Sequence, residues 1–543
     1  MKKILIAFLL AARILFPQSQ IESEIQKHLS NLPFDPPQIS IPLFKENKFD
    51  IREFGAKADG IYINTSAINQ AISDCNSKGG GHVLIPAGMW ITGPIELKSN
   101  VDLHLEKGAI VIFSEDHKNF QLAQTSANSF EVMAPIYGKN LENISISGEG
   151  IFDGNGQTWR PVKKTKLTEN QWKELIESGG VVNEKGDMWW PSKEAMDGEK
   201  YLATKSRKEL TKDDFEKVKD FLRPYMLFLD KCKNIFLDSF TLQNSPKFAM
   251  NLKNSNNIIA RKLIVNNEWW HQNGDGLDLS ACKNVLMYGC LVNAGDDGIC
   301  MKSSGDFKDQ FGMENIVITD CNVYHAHGGF VVGSNTDGGI RNISVKNCTF
   351  TWTDTGLRFK SGIGRGGKVQ NVFIENIYMK EIQEEAITFD MFYSDAGAVK
   401  MKDDKIIQTK SPFFKDIFMK NVFVDGAKKI FFANGLPELP IENVSLSNSF
   451  FKSKAGFDLT STSKFSINGI KTSLKEGAAF IFNNCISLSA EGITFLKPIR
   501  KFAKISGAKT KDIVFRKVSP EIKFDSIEYA NDANSKEVSI SNE

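Results

Sequence analysis

The sequence predicts an all-β chain: a right-handed parallel β-helix that carries one partly helical insertion. Two observations point there. A short phrase recurs, made of a polar residue, then Asn, then alternating apolar residues. Examples are KNIFLDSFTL from Lys233, NNIIARKLIV from Asn256, KNVLMYGCLV from Lys283 and ENIVITDCNV from Glu314. The Asn falls at Asn234, Asn257, Asn284, Asn315, Asn342, Asn371 and Asn443, with Asp416 in the equivalent place, and most intervals lie between 23 and 31 residues. Apolar alternation punctuated by turn residues marks short strands. A repeat of this length marks stacked coils. The Leu pattern of a leucine-rich repeat is absent, and no four-strand blade supports a propeller. In a β-helix each recurrent Asn is expected to stack on the Asn of the next coil.

The elements follow in order. Residues 1–20, MKKILIAFLLAARILFPQSQ, place two lysines before a nine-residue apolar run. That run is too short to span a bilayer and fits a signal peptide, so the chain is expected to be exported, secreted or periplasmic. The first cysteine is Cys75, which excludes a lipid-anchored cysteine at the signal junction. Residues 21–48 lead into the β-helix, expected over 49–530, with 531–543 as a tail. Residues 159–223 break the rhythm. LTENQWKELIES and LTKDDFEKVKDFL read as helices capped by Thr168 and Thr211. Trp189 and Trp190 lie between them, and either bind a sugar ring or pin the insertion to the coils.

Composition narrows the function. The chain is 41% hydrophobic and 24% charged, with 67 basic and 65 acidic residues and a net charge of +2. This balance points to neither nucleic acid nor an anionic membrane as partner. Eight cysteines in 543 residues are no disulfide scaffold. They are expected to be small buried thiols, and no Cys-x-x-Cys spacing supports zinc.

Four motifs carry candidate chemistry. NGDGLD holds Asn273, Asp275 and Asp278. About one coil later comes Gly295-Asp296-Asp297, then His325 and His327 in HAHGG, then Arg358 and Lys360 in GLRFK. A solenoid brings such positions side by side on one face. Neighbours in a strand point to opposite faces, so a bend is expected at Asp296-Asp297 if both serve one site. Asn273 and Asp275, like Arg358 and Lys360, are expected to share a strand face. Singly, each motif has a structural explanation: a turn, a paired histidine, a solvated strand edge. His325 and His327 also allow a metal site.

In this order the motifs resemble those of the polygalacturonases, glycoside hydrolase family 28: Asn-Thr-Asp, Gly-Asp-Asp, Gly-His-Gly and Arg-x-Lys. Here they read Asn273-Gly274-Asp275, Gly295-Asp296-Asp297, Ala326-His327-Gly328 and Arg358-Phe359-Lys360. Gly274 and Ala326 depart from the pattern but remove no reactive group. The resemblance runs from about Phe49 to Lys360. It implies hydrolysis of α-1,4-galacturonosyl bonds of a pectic polysaccharide with inversion. Asp296 would be the general acid, and Asp275 and Asp297 would hold the water. His327 would tune their protonation. Asn273, Arg358, Lys360 and Tyr393 would bind substrate, the two cations taking a galacturonate carboxylate. Inversion generally separates acid and base by roughly 6.5–9.5 Å. The resemblance implies no metal and no cofactor, and the chain is expected to act as a monomer without a membrane span. Exo action is expected because the insertion is long enough to wall off one end of the groove. Other readings are an endo enzyme, a rhamnogalacturonan or xylogalacturonan hydrolase, a calcium-dependent pectate lyase, and a non-catalytic carbohydrate-binding β-helix.

Overall fold

The computed structural model of the chain describes residues 19–308, 311–393, 410–521, 526–530 and 532–541. All but the last two residues of the expected signal peptide lie outside them. The chain winds as the expected β-helix. One coil shows the plan: Leu277–Ser280, Lys283–Tyr288 and Leu291–Asn293 are its three strands, and Asp297–Lys302 opens the next coil. Leu277–Ser280 belongs to a parallel sheet of 14 described strands. The other two strands join a second parallel system, and from Ile340–Thr351 to Thr462–Leu474 they fuse into long strands before separating again at Ile486–Glu491 and Thr494–Phe495.

The recurrent Asn explains the corners. From Asn234 to Asn443 these residues have φ between 52° and 60°. Asn and Gly tolerate this left-handed backbone best. Each side chain then bonds its neighbour: Asn257 donates to Asn234 at 3.0 Å, Asn315 to Asn284 at 3.1 Å, and Asn342 to Asn315 at 3.0 Å. Asp416 takes the same conformation and accepts from Asn443 at 2.6 Å.

Alternate strand residues fill the interior. Val285, Met287, Ile316 and Ile318 are fully buried. Toward the C-terminus Phe359, Phe389 and Phe431 stack, with centroids 4.3 and 5.5 Å apart. All eight cysteines are buried and free, as expected.

Three features differ from the sequence reading. A helix at Thr65–Ser77, not foreseen, buries Ile68, Ala71 and Ile72 against the first coils. The coils also continue past residue 530. Val538–Ser541 pairs in parallel with Lys511–Arg516, because Val538 and Ile540 alternate inward like any other strand. Residues 19–29 are helical and set Ile25 and Leu29 on the outer sheet face beside Phe236, Ile259 and Leu286. The insertion is partly helical as expected, and Thr168 and Thr211 each form a capping box.

The Asn corners yield a test. Asn315→Ala should destabilise the chain by about 2–3 kcal/mol, from two lost ladder bonds and a left-handed Ala. Asn315→Gly keeps the backbone relaxed and should lose about 1 kcal/mol less. Equal denaturation midpoints for the two variants would show that backbone conformation contributes nothing there.

Candidate active site

Four neighbouring strands of the 14-stranded sheet build the site. Asp278 pairs in register with Cys300, Asp297 with Gly328, and Gly328 with Thr355. The bend expected at the paired aspartates is present. Gly295 and Asp296 precede the strand that starts at Asp297, so both carboxylates reach one face. One oxygen from each of Asp275, Asp296 and Asp297 lies within 4.8 Å of the others. This is tighter than the roughly 6.5–9.5 Å anticipated for an inverting pair.

Each carboxylate has its own surroundings. Asp297 is buried, and its two oxygens receive Lys360 Nζ at 2.8 Å and Arg358 Nη1 at 3.4 Å. Burial opposes its charge, but these cations outweigh burial and hold the carboxyl well below its ordinary value. Asp296 is more open. Its Oδ1 lies 3.1 Å from His327 Nδ1, and its main-chain carbonyl accepts from the His327 N–H at 2.7 Å. The Asp296 bond raises the His327 imidazole above 6.5. Asp275 is buried, and burial pushes its carboxyl well above the usual range despite Lys302 Nζ at 3.1 Å.

Lys302 was missed by the sequence reading. Its ammonium also pairs with Asp278, which burial nonetheless lifts to about 6. Register sets its place: Lys302 stands in the same strand as Asp297, opposite Ser280, two residues beyond Asp278. A lone Lys at a strand end is normally solvated, so only the neighbouring coil identifies its role.

The other expected residues are placed as follows. Asn273 and Asp275 do not share a strand. They lie in the turn before Leu277, where Asn273 has φ 54° and its side-chain oxygen accepts from Arg223 at 2.8 Å. Arg358 and Lys360 do share a strand, yet Lys360 is buried against Asp297, leaving Arg358 the more open cation. Both lie over the Tyr393 ring, at 5.7 and 5.1 Å from its centroid. His325 and His327 line one cavity with different partners. His325 stacks on Trp352 and contacts Asn293, and among the described residues neither histidine belongs to a cluster of three metal-ligating groups. Gly274 has a local reason, since a Cβ there would strike the imidazole of the buried His271. Burial keeps His271 neutral. Trp189 is 7% exposed and donates to the Gly179 carbonyl at 2.7 Å, packing with Val162 and Trp172. It pins the insertion, while Trp190 faces a cavity of about 740 Å³ beside Asn273.

Lys302→Met should cost about 3–5 kcal/mol at pH 7, because it leaves two buried carboxylates without a cation. Both carboxyls are raised by burial, Asp278 to about 6. Protonation on acidification below about pH 6 should therefore shrink the deficit, which fades as the pH approaches the ordinary aspartate value. Urea unfolding across this pH range measures this. A deficit that grows on acidification would contradict the assignment.

Comparison with known proteins agrees with this geometry. The family described as glycosyl hydrolases family 28 matches residues 167–464. An exo-poly-alpha-D-galacturonosidase of Dickeya chrysanthemi is 27% identical over 392 residues, which cover 70% of this chain but only 62% of the relative. An endo-polygalacturonase of Pectobacterium carotovorum subsp. carotovorum is 26% identical over 397 residues, 71% of this chain and 84% of the relative. The fold is shared with a family 28 exopolygalacturonase of Yersinia enterocolitica (TM-score 0.65, 22% identity, 82% of this chain and 78% of that one). It is also shared with an exopolygalacturonase of Thermotoga maritima (TM-score 0.62, 22% identity, 84% and 96%). With more than half its length matched by the family and a carboxylate cluster on the β-helix face, the chain belongs to glycosyl hydrolases family 28.

Proposed function

We propose that the protein hydrolyses α-1,4-galacturonosyl linkages of pectic polysaccharide and acts from the non-reducing end. The observation that carries this reading is the cluster of Asp275, Asp296 and Asp297, with Asp297 held ionised by two cations. Asp296, the most open of the three, protonates the leaving oxygen. Asp275 and Asp297 hold the attacking water and together take its proton. His327 and Tyr393 flank the reacting bond, and Arg358 is the cation best exposed to meet a galacturonate carboxylate.

The close spacing of the carboxylates is nearer to the roughly 5–5.5 Å of retaining pairs. Inversion is nonetheless favoured, because both oxygens of Asp297 are occupied by cations. A carboxylate so engaged is a poor nucleophile and a good water holder. Proton NMR of an early digest should therefore show the β-anomer first.

Cation balance also favours hydrolysis without a metal. Lys302, Lys360 and Arg358 already neutralise the carboxylates that a calcium ion would need. Export is the reading of the N-terminal lysines and apolar run; no described helix is long and apolar enough to cross a membrane.

Exo action rests on the insertion, which lines the cavity beside Asn273 with Met188, Trp190 and Phe221. The names of the relatives point both ways. Two experiments test the proposal. Asp296→Asn should lower kcat by at least about 10²-fold without changing the unfolding midpoint. Near-normal turnover would remove Asp296 from its role. An early polygalacturonate digest in EDTA should contain monomer alone. A ladder of oligomers would establish endo action, and loss of activity in EDTA would favour the lyase.

A further inference from the structure

The cavity between the insertion and the coils holds two cations that the catalytic steps leave unused. Arg223 closes the insertion, and its guanidinium donates to the Gln272 carbonyl and to Asn273 Oδ1, both at 2.8 Å. Lys247 places its ammonium 4.9 Å from the Tyr225 ring centroid and 5.8 Å from that of Phe248. Among the described residues neither forms an ion pair with a carboxylate, unlike Lys302, Lys360 and Arg358. Glu131 and Glu199 also line the cavity, but Glu131 and Asp275 offset the burial of the two cations only in part, and a cation withdrawn from water without a close acidic partner is costly. Burial pulls Lys247 below the ordinary lysine value and Arg223 down to about 10. An anion entering the cavity relieves both.

The cavity has the dimensions and walls for a sugar acid. Its volume is about 740 Å³, within the range of small-molecule sites. Trp190, Phe221, Tyr225 and Phe248 supply aromatic surface, which suits the apolar face of a pyranose. The Phe248 ring also carries Lys302 Nζ, 4.5 Å from its centroid, so the cavity abuts the catalytic aspartates.

We propose that this cavity is a binding site for one hexuronate unit, whose carboxylate sits between Arg223 and Lys247 and whose ring lies against the aromatic wall. The inference rests on the pectic reading above and adds which residues recognise the acid group on the side closed by the insertion.

Calorimetry on the full chain compares galacturonic acid with galactose, which carries a neutral hydroxymethyl group in place of the carboxylate. Galacturonic acid should bind at least about tenfold more tightly, as expected for a charge-assisted contact. Lys247→Met should reduce that preference severalfold and Lys247→Arg should restore most of it. On oligogalacturonides, Lys247→Met should raise KM more than it lowers kcat. Equal binding of the two sugars by the wild type, or an undiminished preference in Lys247→Met, would overturn the inference. Binding of the monomer requires no turnover. A digest of mixed oligomers would therefore defeat exo action without deciding this site, and the calorimetry would decide the site without touching the mode of cleavage.

Discussion

Parallel, in-register pairing of successive coils sets every distance in the site. Adjacent strands lie about 4.8 Å apart, so residues one coil apart become neighbours. That is how Lys360 meets Asp297 across 63 positions of sequence, and Lys302 meets Asp275 across 27. A slip of one residue in any of these pairings would turn the charged side chains into the core. The Asn ladder resists such slips, because each Asn holds one corner and bonds the corner of the next coil.

The site concentrates charge that the fold would otherwise avoid. Asp275, Asp278 and Asp297 are buried within two coils, and three cations from the same sheet meet them. The balance is uneven by residue. Asp297 has two partners and stays ionised; Asp275 and Asp278 share one ammonium and are pushed toward their neutral forms. Side chains of identical chemistry thereby acquire different protonation. The cost is a core that depends on every cation being present.

The insertion has a different relation to the fold. It has its own small core around Trp172 and Trp189, and it touches the coils where Arg223 grips Asn273. Through that contact a segment outside the solenoid orients a residue of the site. The coils supply the carboxylate cluster, and the insertion shapes the space next to it.

Much of this was legible in the chain alone. The interval between Asn residues and the alternation that follows each one determine a stacked-coil fold, because only Asn and Gly adopt the corner conformation freely and alternate residues must face one core. The order of the four motifs determined which carboxylates and cations meet. Other features depended on tertiary structure. Whether Lys360 faces substrate or Asp297 is decided by one buried contact that no spacing reveals. Lys302 acquires a role only when the preceding coil lays Asp278 beside it. Trp189 and Trp190 are adjacent and identical in kind, yet one is buried and the other faces a cavity. The protonation of the aspartates was likewise undetermined by the sequence, because burial and neighbouring charge are properties of position in space, and the chain acquires them only when its coils close.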